Sequence, residues 1–319
     1  MTLDPQAQAL LDKAKAAGAS PVYLLPVPQA RARMEEVFKN PDSPENVHSV
    51  EEVLIPGPIR GLVVRMYRPS ERKDLGCLVF IHGGGWTVNS ISTHDAVCRR
   101  LANLGNCVVL SVDHRMSPEF KYPAALDDTY NALQWALNNG SRFGWDVARV
   151  AIGGDSSGGT LATTAALLNR DRGGPTLAYQ VLLYPVTDYY LPGTASYVEN
   201  ATGYSLNRDF MIWFWQNYIP SGVDFDDPYL CPLRSGNLSG MPSALILTAE
   251  YDPLRDEGRE YAKKLSAAGV PVDLWHYDNQ MHGFILQTRV IDRAREALEK
   301  VGQRLVQVLG PDQIDTSST

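Results

Sequence analysis

The chain has 319 residues, 44% hydrophobic and 20% charged, an ordinary globular balance with length for one large α/β domain or two smaller ones. Its net charge of -7 comes from 36 acidic and 29 basic side chains without a lysine or arginine block, which argues against nucleic acid or anionic membranes as partners. No apolar run is long enough for a membrane span and no basic-then-apolar secretion signal opens the chain, and Cys77, Cys98, Cys107 and Cys231 are scattered without a CxxC pair. The expectation is a cytoplasmic protein with buried free thiols and no use for metal or disulfide.

The N-terminal stretch "MTLDPQAQALLDKAKAAGAS" reads as a short amphipathic helix started by Asp4-Pro5. "VEEVLI" and "GLVVRMYR" flank the turn "PGPIRG" and suggest an antiparallel hairpin. Buried-strand patterns follow at "CLVFI" (77–81), "CVVLSVD" (107–113), "RVAIGG" (149–154), "YQVLLYP" (179–185), "ALILTAE" (244–250) and "VDLWHYD" (272–278). Helical patterns lie between and after them, from "THDAVCRRLANLG" to "RVIDRAREALEKVGQRLVQVL", so the fold class is α/β: a mostly parallel sheet of about eight strands with helices on both faces.

Two stretches break the alternation. Residues 1–48 precede the core (49–187 and 241–310), and residues 188–240, rich in aromatic side chains, interrupt it. Both are read as parts of a cap over the C-terminal edge of the sheet, where open α/β sheets bind ligands; the competing reading is an ordinary extra helical layer. The tail 311–319 reads as flexible.

Gly154-Asp155-Ser156-Ser157-Gly158 fits G-x-S-x-G, a pattern common by chance, but here a strand pattern precedes it and a helix pattern follows. The spacing makes Ser156 the nucleophile and leaves Ser157 to offer its backbone N–H to a developing oxyanion. "FIHGGGW" (80–86) places three glycines after a strand, where backbone N–H groups can face inward; Gly84 and Gly85 are the expected donors, with Gly83 shaping the turn. A serine hydroxyl needs a base. Of six histidines, His282 in "DNQMHGF" follows the last strand pattern, and Asp252 follows the penultimate one, which gives the chain order Ser…Asp…His. Asp252 also reads as an N-cap with Pro253 at the first helical position, and Asp256 as support for that helix N-terminus.

These pieces together resemble the hormone-sensitive lipase-like (bacterial family IV) carboxylesterases of the α/β-hydrolase fold. The resemblance covers roughly residues 50–310 through "HGGGW", "VDHRMSPEFKYPAALDD", "GGDSSGG", "DPLRDEG" and "MHGF". His114, Ser117 and Ser157 stand where that family usually has tyrosine, alanine and alanine. The family implies a cap built from the same two interrupting stretches and a structural part for Glu119.

The expected chemistry is two-step acyl transfer, with His282 taking the Ser156 proton, Asp252 orienting the imidazole, and Gly84, Gly85 and Ser157 N–H groups holding the oxyanion. No cofactor is needed. Trp86, Tyr204, Met211, Phe214, Trp215 and Phe284 are candidates to line a pocket for short to medium acyl esters. An amidase, deacetylase or lactonase would use the same triad, and a non-catalytic receptor of this fold would lack the histidine. By analogy, the last strand and final helix offer an edge for a homodimer.

Overall fold

The computed structural model describes residues 2–18, 20–38, 44–59 and 61–311. An eight-stranded sheet forms the centre in the order β1-β2-β4-β3-β5-β6-β7-β8. Strands β1 (Ser49–Ile55) and β2 (Leu62–Arg68) make the expected antiparallel hairpin, and β2 pairs antiparallel with β4 (Cys107–Val112). From β4 onward, through β3 (Leu75–Ile81), β5 (Trp145–Asp155), β6 (Tyr179–Leu183), β7 (Ala244–Tyr251) and β8 (Val272–Met281), all pairings are parallel.

Both faces of the parallel part are covered, which explains why its strands read as unbroken apolar runs. Side-chain alternation divides them between two cores. Cys77, Val79 and Ile81 of β3 join a cluster with Leu133 of α4 (Ala124–Phe143), Leu161 of α5 (Ser157–Asp171) and Leu265 of α8 (Arg255–Ala267). Leu78 and Phe80 join another with Leu101 of α3 (Asp95–Gly105) and Leu298 of α9 (Asp292–Leu309). Each such side chain withdrawn from water contributes about 1.5–3 kcal/mol. All four cysteines are buried free thiols.

Asp4 caps α1 (Pro5–Ala16) as its sequence suggests, its carboxylate accepting the N–H groups of Gln6 and Ala7. After it come α2 (Val27–Phe38) and, in the second interruption, α6 (Ala195–Glu199) and α7 (Arg208–Tyr218). The two stretches meet where the Tyr23 ring lies 5.6 Å from that of Phe210. Arg31 of α2 ties the first stretch to the core, bonding Glu119 through two nitrogens at 2.8 and 2.6 Å and the carbonyls of Thr87 and Ser117. That guanidinium holds the Glu119 carboxyl below the usual range, so the residue is part of a tether. The flexible-tail expectation concerns residues of which 312–319 lie outside those described.

Candidate active site

Strand register decides what meets at the C-terminal edge. Ile81 pairs with Gly154, and Asp155 with Leu183, so the loop leaving β3 runs beside the turn leaving β5. Tyr251 pairs with Met281 after a register shift, so Asp252 and His282 are the first residues past two adjacent strand ends. The last strand therefore runs three residues beyond the expected "VDLWHYD", and that extension delivers the histidine.

Ser156 occupies the turn between β5 and α5 with φ 55° and ψ -124°, a sparsely populated conformation costing about 1–3 kcal/mol and found where a structure overrides local preference. Glycine at 158 is required because a Cβ there would run into the Ile81 carbonyl oxygen. The Ser156 hydroxyl lies 3.0 Å from His282 Nε2, and His282 Nδ1 lies 2.7 Å from Asp252 Oδ2. Asp252 is fully buried, its second oxygen accepting the Leu254 N–H at 2.8 Å, so one carboxylate serves both the imidazole and the entry to α8. The helix itself begins at Arg255, two residues later than the expectation that Pro253 opens it. Among the described residues only His282 hydrogen-bonds the Ser156 hydroxyl. Such an arrangement can pass a hydroxyl proton to a ring nitrogen while the carboxylate stabilises the imidazolium that forms.

The glycine loop lies alongside. Gly83 donates its N–H to Asp155 Oδ1 at 2.9 Å, so it is spent on anchoring. Gly84 and Gly85 have φ of 122° and 56°, and a Cβ on Gly85 would overlap the Phe214 ring of α7. Among the described residues no hydrogen bond engages the Gly84 or Gly85 N–H. Ser157 is the first residue of α5, where the N–H has no intrahelical partner and the helix dipole favours negative charge.

His82, His94 and His114 form a buried cluster behind this loop. His82 stacks on His114 with centroids 4.4 Å apart, and His94 Nε2 lies 3.0 Å from Asp155 Oδ1. Burial, followed by the neighbouring His114 and His94, pushes the His82 imidazole well below its usual range. His276 is taken up by Glu250 at 2.8 Å.

The six pocket candidates separate. Trp86, Met211, Trp215 and Phe284 are at most 1% exposed, and Trp86 stacks on Tyr218 with centroids 4.1 Å apart. Phe284 packs in one cluster with Tyr184 and Tyr277. In this conformation these four present no free surface. Phe214 lies against Gly85, and half-buried Tyr204 stands 5.0 Å from Tyr251.

Sequence reasoning missed several neighbours. Tyr184, with φ 39°, sets its ring 4.6 Å from the His282 imidazole. Asn200 donates to the Glu250 and Asp252 carbonyls, and Ser205 to that of His282. Asp256 sits in the first turn of α8 as expected and also accepts the Ser196 N–H of α6 at 2.8 Å, and Arg255 bridges Glu250 and Glu199. No local pattern signals such contacts, because all but the Arg255–Glu250 pair join segments about 50 or more residues apart.

Glu257 completes this grip by accepting the Thr187 N–H at 2.7 Å, at the root of the second interruption. It is fully buried, and desolvation pushes its carboxyl well above the usual range. A raised folded-state value means that its stabilisation is complete below the ordinary glutamate range and is lost as pH rises through the folded-state value. Glu257→Gln keeps the acceptor oxygen and removes the charge. Thermal unfolding is expected to show the variant gaining stability over the native protein as pH rises, with no gain at acid pH. A gain independent of pH would contradict that account.

Parallel strands, helices on both faces and a serine raised on a strand-to-helix turn are the architecture of an α/β hydrolase, and a family description of the alpha/beta hydrolase fold matches residues 78–286. The chain belongs to that family. A carboxylic ester hydrolase of Mycobacterium tuberculosis is 41% identical over 291 residues, spanning 89% of this chain and 77% of that protein. Ethyl acetate hydrolase of Pseudomonas putida is 34% identical, spanning 97% of this chain and 100% of its own length. Among solved structures, the hyperthermophilic esterase from the archaeon Pyrobaculum calidifontis matches with TM-score 0.91 at 37% identity, covering 96% of this chain and 99% of that one.

Proposed function

We propose that this chain is a serine carboxylesterase that cleaves esters of short to medium acyl chains through an acyl-enzyme. The hydrogen-bonded line from Ser156 through His282 to Asp252 carries this reading. His282 takes the hydroxyl proton as Ser156 attacks the ester carbonyl. Asp252 orients the imidazole and stabilises its cation. The N–H groups of Gly84, Gly85 and Ser157 receive the oxyanion, each worth about 3 kcal/mol of barrier lowering. His282 then protonates the departing alcohol, and water repeats the sequence on the acyl-enzyme.

Residues 1–48 and 188–240 act as the cap. Phe214 and Tyr204 are its substrate-facing side chains, and the packed aromatic rings leave little room for long acyl chains. Relatives named ethyl acetate hydrolase and acetyl esterase support the short-chain preference. Buried free thiols fit a reducing cytoplasm, and β8, an edge strand, offers a surface for a homodimer.

A fluorophosphonate probe is expected to label the native protein and not Ser156→Ala; equal labelling of both would refute the assignment. Across a p-nitrophenyl ester series, turnover should peak at short to medium acyl chains, and a maximum at palmitate would overturn the preference.

A further inference from the structure

Two hydroxyls that the acyl-transfer reading leaves idle converge on one residue. Ser157 Oγ accepts the Trp86 N–H at 3.2 Å. Ser117 Oγ donates to the Trp86 carbonyl at 3.0 Å, and the same carbonyl accepts the Ser117 N–H at 2.8 Å. Thr87 Oγ1 lies 2.8 Å from Ser117 Oγ and 3.0 Å from the Gly85 carbonyl oxygen. All four residues are at most 1% exposed, so water does not compete for these bonds.

Trp86 needs such support. Its φ of 57° lies in the left-handed region that bulky side chains avoid, and its ring is held between Tyr218 and Trp215 of α7. One peptide bond joins it to Gly85, whose lack of a side chain would otherwise leave the amide free to turn. Donors aimed at a developing oxyanion accelerate reaction only when they are fixed beforehand.

We infer that the Ser157 and Ser117 side chains clamp the Trp86 backbone from both ends and so aim the Gly85 N–H at the oxyanion, as positioning residues of the acyl-transfer reaction proposed above, on which this inference rests. The second serine of "GDSSG" then has two uses: its amide as a donor and its hydroxyl as a brace across to the other half of the oxyanion hole. Ser117 supplies the opposing brace. Both stand where the resembled family usually has alanine, so the clamp is a property of this chain's own residues.

Ser117→Ala, Ser157→Ala and the double variant test this, since all three keep the backbone N–H groups. With p-nitrophenyl butyrate, each single change is expected to lower kcat about three- to ten-fold with KM unchanged, the effect of one lost hydrogen bond felt in the transition state. The Ki of an alkyl trifluoromethyl ketone, which adds to the serine as a tetrahedral anion, should rise by a similar factor. The pH profile of kcat should keep its native shape. The double variant should lose more than either single one. Single and double variants with native kcat and native ketone affinity, whatever their thermal midpoint, would overturn the clamp, as would a rise in KM alone. A native protein that neither hydrolyses the ester nor takes the fluorophosphonate label would instead sink the acyl-transfer reading.

Discussion

Replacing Ser156 with alanine is expected to lower kcat/KM for any ester by about 10⁴- to 10⁶-fold, and Asp252→Asn by about 10⁴-fold, without unfolding the protein. The second change is the more informative. Asp252 Oδ1 accepts the Leu254 N–H, and asparagine can keep that bond, so α8 should start as before. Its amide nitrogen would then face His282 Nδ1, where Oδ2 now lies at 2.7 Å. A donor there makes Nδ1 an acceptor, so the ring proton moves to Nε2, which then cannot take the Ser156 proton across 3.0 Å. Activity should collapse with an unchanged thermal midpoint. A midpoint falling in step with activity would mean that the substitution damaged the fold, and unchanged activity would remove Asp252 from the chemistry.

Gly85→Ala should cost about 10²- to 10³-fold in kcat, the loss that follows when an oxyanion donor is displaced. Two separate obstacles meet the added methyl: the Phe214 ring already fills its place, and φ is 56°. Phe214→Ala removes the first and leaves the second, a cost of about 1–2 kcal/mol for a left-handed residue with a side chain. In that background the loss from Gly85→Ala should therefore shrink to roughly ten-fold. The four kcat values form a double-mutant cycle, and a coupling above about 1 kcal/mol is expected for residues in contact. Additive losses would show that the ring does not set the position of this loop. The same cycle tests Phe214 at the substrate side, because its truncation alone should widen acyl-length tolerance.

Much of this architecture was legible residue by residue. The β3 run "CLVFI" is apolar throughout because both faces are covered, and the hairpin announced itself by alternation on either side of a turn. Ser156, Asp252 and His282 could be picked out because each follows a strand pattern in a set order. The Trp86, Met211, Trp215 and Phe284 candidates show the limit. Composition marked the segment as aromatic, but whether a ring faces a pocket or a neighbouring ring depends on packing, and these four are enclosed. Asp256 shows it again: it reads as a local charge at a helix start and is one, but its further partner Ser196, 60 residues away, leaves no local signal.

The amino-acid sequence by itself determined the alternation of strands and helices, the burial of the thiols and the identity of the three triad candidates, because periodicity, glycine placement and chain order act over a few residues. Only the tertiary structure decided how these meet. The Tyr251–Met281 register carries Asp252 beside His282, Ile81 opposite Gly154 sets the glycine loop against the serine turn, and Ser117 and Ser157 close on Trp86. Those juxtapositions are long-range because hydrophobic burial and strand pairing are satisfied by the whole chain at once, and no local window contains both partners.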